Sequence, residues 1–180
     1  MSDFGNNRQW SYCDNVDDVA LKYILDNFSP STMIDIGCGR GIQVENARSM
    51  GVEAVGVDGS QELTIYDKPY FFLHDYTQGK IDLGDFDLAW SVEFVEHVYE
   101  KYIPNFLDTF AKCRMVFFTH AVPGQGGNHH VNCQTGEYWL NIFKKYGFEK
   151  NEETTSEVRS VAENKYIRRT GTILINKGSE

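Results

Sequence analysis

Apolar residues return at three- and four-residue steps between Val16 and Phe28, at Val16, Val19, Ala20, Tyr23 and Ile24. That period puts them on one face of a helix. Asn15 is the expected N-cap, Asp17 and Asp18 suit the positive end of the helix dipole, and Ser29-Pro30-Ser31 stops the helix. Met33–Ile36 then reads as a short buried strand, and Ile42–Met50 as a helix closed by Gly51 at its C′ position. Ala54–Val57 is a second strand and Tyr70–Leu73 a third, with a short helix expected over residues 60–66.

The alternation continues. Phe86–Val92 is a fourth strand, and Tyr102, Ile103, Phe106, Leu107, Phe110 and Ala111 mark one face of a helix. Met115–Thr119 is a fifth strand; Glu137–Tyr146 is a helix stopped by Gly147. Two strands close the chain, Phe148 to about Val158 and Gly171–Ile175, with no helical pattern between them, so they are expected to be antiparallel neighbours. Strands alternating with helices predict βαβ units and a mostly parallel sheet covered on both faces. No linker or repeat divides residues 1–180, which are read as one domain behind a lead of residues 1–15.

Charge narrows the function. The net charge is -9. Residues 1–90 hold 6 Lys+Arg against 15 Asp+Glu, whereas residues 91–180 hold 11 of each, so all the excess acid lies in the first half. No basic cluster suited to a phosphate backbone is visible, and nucleic acid is a disfavoured partner. No apolar run approaches the ~18 residues of a membrane span, and MSDFGNNRQW is not a signal peptide. Cys13, Cys38, Cys113 and Cys133 include no CxxC pair, which points to a reducing, cytoplasmic setting.

The richest constellation is Ile34-Asp35-Ile36-Gly37-Cys38-Gly39-Arg40-Gly41, followed by Asp58 at the end of the next strand. Glycines after a strand permit a tight turn and close approach of a ligand, and the acid can accept from ribose hydroxyls. A dinucleotide fingerprint GxGxxG would need a third glycine at 42, where Ile42 stands, and the Lys and Ser/Thr of a P-loop are missing. The loop suits a ligand with a ribose and no phosphate.

With Val55-Gly56-Val57-Asp58, Leu73-His74-Asp75 and Asp85-Phe86-Asp87-Leu88-Ala89-Trp90-Ser91-Val92-Glu93-Phe94-Val95-Glu96-His97, this series resembles the class I S-adenosylmethionine (SAM)-dependent methyltransferases, over about residues 16–176. The fourth-strand segment is most similar to small-molecule types such as those of quinone biosynthesis. The resemblance implies a Rossmann-like, doubly wound α/β fold with seven strands in order 3-2-1-4-5-7-6, strand 7 antiparallel. It implies SAM as cofactor and S-adenosylhomocysteine (SAH) as product. Gly37, Cys38, Gly39 and Gly41 would line the cofactor, Asp58 with Gly59 would meet the ribose, and Asp75 and Tyr76 the adenine. Asp35 would orient the methionine amino group, and Ser91, Val92 and Glu93 would line the methyl end.

The methyl group is activated by its sulfonium, so the protein supplies position, desolvation and, for a hydroxyl acceptor, a base. His129 and His130, in the glycine-rich loop Pro123–Asn132, are the first candidates, and His120, after the fifth strand, the next. The glycines are expected to let this loop close over a substrate. His129-His130 with Cys133 fits no standard zinc spacing, and no metal is expected. Glu96-His97 reads as a helix cap or a support for the loop, and Trp90 as packed on the sheet. Trp10 and Tyr12 are candidates to close the cofactor pocket. The acceptor reading is an O or C nucleophile on a small molecule or saccharide. Its rivals are a protein or RNA methyltransferase with an open site and a silent SAM-binding accessory protein.

Overall fold

A computed structural model describes residues 15–61 and 65–178; Trp10 and Tyr12 lie outside them. The elements are α1 (Asp18–Phe28), β1 (Thr32–Ile36), α2 (Ile42–Ser49), β2 (Glu53–Asp58), β3 (Phe71–Leu73), β4 (Phe86–Ser91), α3 (Ile103–Ala111), β5 (Cys113–Phe118), α4 (Gly136–Lys144), β6 (Phe148–Lys150), α5 (Glu152–Val161), α6 (Lys165–Thr170) and β7 (Thr172–Asn176). Short 3₁₀ turns fall between them, one at Ile65–Asp67 where a short helix is expected.

The seven strands form one sheet in the order β3-β2-β1-β4-β5-β7-β6. Strands β1 to β5 pair in parallel, and β7 runs antiparallel to both β5 and β6. This is the expected topology. Alternation along the strands feeds two cores. Met33, Leu88, Trp90, Met115, Phe117 and Ile173 face α1, α2, α5 and α6; Ile34, Ile36, Ala89, Val116, Phe118 and Leu174 face α3 and α4. Each large side chain so buried stabilises the fold by roughly 1.5–3 kcal/mol. Trp90 is packed on the sheet as expected, its ring 4.5 Å from Phe117.

Two sequence expectations need correction. The cap of α1 is Asp17, not Asn15. Asp17 is extended, and its Oδ1 accepts from Ala20 N at 2.8 Å. The other oxygen accepts from Glu163 N and Asn164 N at 2.8 and 2.7 Å, so this buried carboxylate also holds the junction between α5 and α6. The second correction is the strand drawn from Phe148 to Val158. It ends at Lys150, and α5 and α6 fill the way to β7. The buried positions of α5 are Thr154, Thr155 and Val158, so its inner face carries little apolar signal. Its caps were the readable sign: Asn151 accepts from Thr154 N, with Glu152 and Glu153 in the first turn. The antiparallel pairing is right, but a helical connection makes it, not a short turn.

Candidate functional site

The carboxyl ends of the parallel strands gather the expected residues along one edge of the sheet. Gly37, Gly39 and Gly41 all have left-handed backbones, with φ of 79°, 52° and 75°. Their surroundings differ. A Cβ on Gly37 would meet the Phe94 ring at 2.6 Å, and one on Gly41 the Phe71 ring at 2.3 Å. A Cβ on Gly39 would meet nothing within 4 Å. The outer two glycines are required by packing; Gly39 alone faces open space. Cys38 lies against Gly56, and burial, helped by the charges of Asp35 and Asp58, pushes its thiol pKa well up. It is a structural residue, not a nucleophile.

Asp58 ends β2 beside this turn. Its Oδ2 accepts from Gly39 N at 2.9 Å and its Oδ1 from Ser60 N at 2.8 Å. Burial raises its pKa despite those bonds and one from the Gly59 backbone. Asp35, 4% exposed, is pushed well above the usual carboxylate range by burial and then by Asp58. Two neighbouring carboxylates, Asp35 buried and Asp58 half-buried, favour a cationic ligand that restores their charged forms. Beside them lies a cleft of about 260 Å³, open mouth included, lined by Val57, Asp58, Gly59, His74, Asp75, Tyr76, Thr77, Phe94 and Val98. No Lys or Arg is among these residues. Asp75 accepts from Thr77 N at 2.8 Å, and Tyr76 is buried with its hydroxyl donating to Thr109 Oγ1 at 3.1 Å. The His74 and Phe94 rings stand edge-on to Tyr76. Acids for a ribose and a cation, aromatic walls for a flat ring and no counter-charge for phosphate together fit SAM.

On the other side of the turn, Ser91 is buried and its Oγ donates to Ile36 O at 2.9 Å, which binds the end of β4 to the end of β1. Val92 is buried in the α1–α2 core. Glu93 has φ 54°, a conformation that costs a non-glycine residue on the order of 1 kcal/mol. Its backbone N donates to Thr119 Oγ1, and its carboxylate accepts from Thr119 Oγ1 at 2.9 Å and Gln125 Nε2 at 3.2 Å.

The three candidate histidines do not form one group. His120 is 4% exposed, its backbone N–H on Thr170 Oγ1 and its ring against Gly136; burial lowers its pKa. His129 and His130 lie instead beside Glu96-His97. The backbone carbonyl of Glu96 accepts from Val131 N and Asn132 N at 2.9 and 3.0 Å, so Glu96 supports the loop as expected. The loop is less free than its glycines imply. The ring of His130 occupies the place a side chain on Gly127 would take, and Gln125 joins Glu93, Val122 and Arg169. His97, pushed down to about 4 chiefly by burial, is neutral near pH 7.

Sequence reasoning missed the cleft-lining roles of His74, Phe94 and Val98, and the approach of Glu96 and His97 to His130, whose ligand atoms lie within 4.8 Å of one another. The apolar contacts carry no motif. The Glu–His group joins residues more than thirty positions apart, beyond the reach of a local spacing rule.

The sheet order, the glycine turn and the acid at the end of β2 define a methyltransferase-type fold. The family model described as "Methyltransferase domain" matches residues 4–115, and the chain belongs to that family. Solved structures agree on the fold. The plantazolicin methyltransferase BpumL in complex with SAH aligns at TM-score 0.59 and 13% identity, covering 88% of this chain and 81% of that one. A SAM-dependent methyltransferase from Archaeoglobus fulgidus aligns at 0.59 and 18%, covering 88% and 91%. Magnesium protoporphyrin IX methyltransferase (ChlM) from Synechocystis PCC 6803 with bound SAH aligns at 0.57 and 17%, covering 87% and 78%. No curated protein matches the chain by sequence. Among the described residues, no helix is long and apolar enough to cross a membrane.

Proposed function

We propose that this methyltransferase transfers the methyl group of SAM to an oxygen of a small acceptor held at the ends of β4 and β5. SAM is the cofactor and SAH the product. The observation that carries the reading is the placement of Asp58, half-buried and bonded to the one glycine of the turn with open space above it, next to the buried Asp35. Asp58 accepts from the ribose, Asp75 and Tyr76 hold the adenine, and Asp35 orients the methionine amino group. Ser91, Val92 and Glu93, at the end of β4, would line the methyl end of the cofactor, where the sheet edge continues into the residue 121–135 loop.

The reaction is an in-line displacement. The acceptor oxygen bonds to the methyl carbon as the carbon–sulfur bond breaks, and the sulfur keeps the bonding pair. The chain's part is to align the two reactants and exclude water. The acceptor's proton goes to His129, which sits on the loop beside Glu96-His97; His120 is sealed under α4 and α6. Two of the fold neighbours act, by their names, on plantazolicin and magnesium protoporphyrin IX. Their acceptors differ, so the fold alone does not select one.

Calorimetry with SAM and SAH tests the cofactor half. Asp58→Ala is expected to weaken both by tenfold or more, because an ionic hydrogen bond to the ribose contributes about 1.5–3 kcal/mol. Unchanged affinity would sink the assignment. SAH release in the presence of hydroxylated acceptors tests the transfer, and a tight SAM complex with no turnover across a broad panel would favour an accessory protein.

A further inference from the structure

The group formed by Glu96, His97 and His130 has no task in the cofactor site. Glu96 is fully buried, and its carboxylate makes no close hydrogen bond; the backbone N–H groups of Glu96 and Ala121 and the Glu93 side chain are in the vicinity. A carboxylate removed from water without a partner is strongly disfavoured unless a cation stands beside it. Two imidazoles stand where that cation would be. One ligand atom from each of Glu96, His97 and His130 lies within 4.8 Å of the others. Ligands arranged tetrahedrally around one ion at about 2.1 Å lie roughly 3.4 Å apart, so the widest pair of the group has to close by on the order of 1 Å, within reach of side-chain rotation.

The rings are oriented by their other edges. Nδ1 of His97 is 3.2 Å from His129 O, and Nδ1 of His130 is 3.3 Å from Gln125 O. A carbonyl beside one ring nitrogen fixes the orientation of the imidazole, the outer-shell arrangement of metal-binding histidines. Two of the three non-glycine residues with positive φ among the described residues, Glu93 and His129, flank the group. Strain of this kind gathers at functional sites. The Glu93 carboxylate, tied to Thr119 and Gln125, is near enough to repel Glu96, and a cation would relieve that repulsion as well.

From this geometry we infer that Glu96, His97 and His130 form a binding site for a divalent transition-metal cation, next to the acceptor side of the methyltransferase site. One carboxylate with two imidazoles suits manganese, iron, cobalt or zinc better than calcium or magnesium. Its position beyond the end of β4 gives the ion an oxygen acceptor to orient, and its charge would lower that oxygen's affinity for its proton. That catalytic use rests on the proposed function; the binding itself does not.

The test is a titration of chelator-treated full-length protein with Mn²⁺, followed by calorimetry and electron paramagnetic resonance, and repeated with Co²⁺ and Zn²⁺. One ion per chain is expected. Glu96→Gln, His97→Ala and His130→Ala should each weaken binding at least tenfold while SAH affinity stays within threefold. The absence of stoichiometric binding by the folded wild type for all three ions would overturn the inference, as would unchanged binding in Glu96→Gln and His130→Ala. Should Glu96→Gln not fold, His130→Ala decides, since His130 lies on a partly exposed loop. Loss of SAH affinity in the wild type alongside intact metal binding would count against the methyl-donor reading instead.

Discussion

The two halves of the site are built on different principles. On the donor side the polar groups are met by backbone a few residues away or in the adjoining turn: Asp58 by Gly39 and Ser60, Asp75 by Thr77. On the acceptor side the groups come from far apart in sequence and are not all met. Glu96 is buried with no close hydrogen bond, Glu93 and His129 are strained, and the loop is tied down chiefly through the Glu96 carbonyl, Gln125 and the ring of His97. The acceptor side holds a poorly satisfied buried carboxyl and backbone strain, which a ligand or ion can relieve. A site of this form can keep one cofactor while its acceptor chemistry varies.

The largest expected effect separates packing from binding within the glycine turn. Gly41→Ala combines a forbidden backbone with a collision against Phe71 and should cost about 3 kcal/mol in urea unfolding. Gly39→Ala meets no neighbour, so its stability loss should stay near 1 kcal/mol. Its SAM affinity should nonetheless fall tenfold or more, because the added methyl fills ligand space. Equal stability losses in the two variants would erase the distinction.

Next comes the comparison of histidines. His129→Ala should lower turnover by about a hundredfold, the lower end for a general base, with SAH affinity within threefold. His120→Ala should leave turnover within a few-fold and instead destabilise the protein by about 1–2 kcal/mol. The reverse result in steady-state kinetics and thermal melts would move the base to the end of β5.

A smaller effect concerns Asp35. Its pKa is raised in the folded state, by burial and then by Asp58, so its ionisation opposes folding once the pH exceeds the ordinary carboxylate value. Asp35→Asn should therefore stabilise the ligand-free protein at pH 7, by about 1 kcal/mol, while weakening SAM. A lower melting temperature without ligand would contradict this account.

The smallest effect is a control at the opposite edge of the sheet. Burial pushes the pKa of Asp87 up, but Arg114 and the backbone N–H groups of Ser31 and Thr32 outweigh it and hold the pKa low. Its stabilisation is present above the unfolded carboxylate pKa of about 3.9 and is lost as the pH falls through the lower, folded value. Asp87→Asn should cost less than about 1 kcal/mol at pH 7 and nothing once both forms are protonated. Urea midpoints at pH 7 and at strongly acid pH check this, and SAM affinity should not move.

The same contrast governs what could be read from the sequence. The run from Asp35 to Gly41 is contiguous, and each residue's part follows from its neighbours, so strand, turn and acid were legible together. The sheet order followed from the series of motifs. Helix α5 was not legible because its inner face is Thr154, Thr155 and Val158, which gives no apolar period. The meeting of Glu96, His97 and His130 was not legible because the loop returns to the carbonyl of Glu96 only in three dimensions.

The carboxylate of Asp17 has a mechanical meaning. Through Ala20 it starts α1, through Glu163 and Asn164 it fixes the turn from α5 to α6, and its own N–H reaches Gln43 in α2 at 2.8 Å. Segments at opposite reaches of the described chain thus share one latch. Neither is free to fray without releasing the other, and α2, which carries the glycine turn at its head, is held by the same residue. Amide hydrogens in α1, α5 and α6 should exchange with a common opening free energy, and the donor pocket should loosen in the same event.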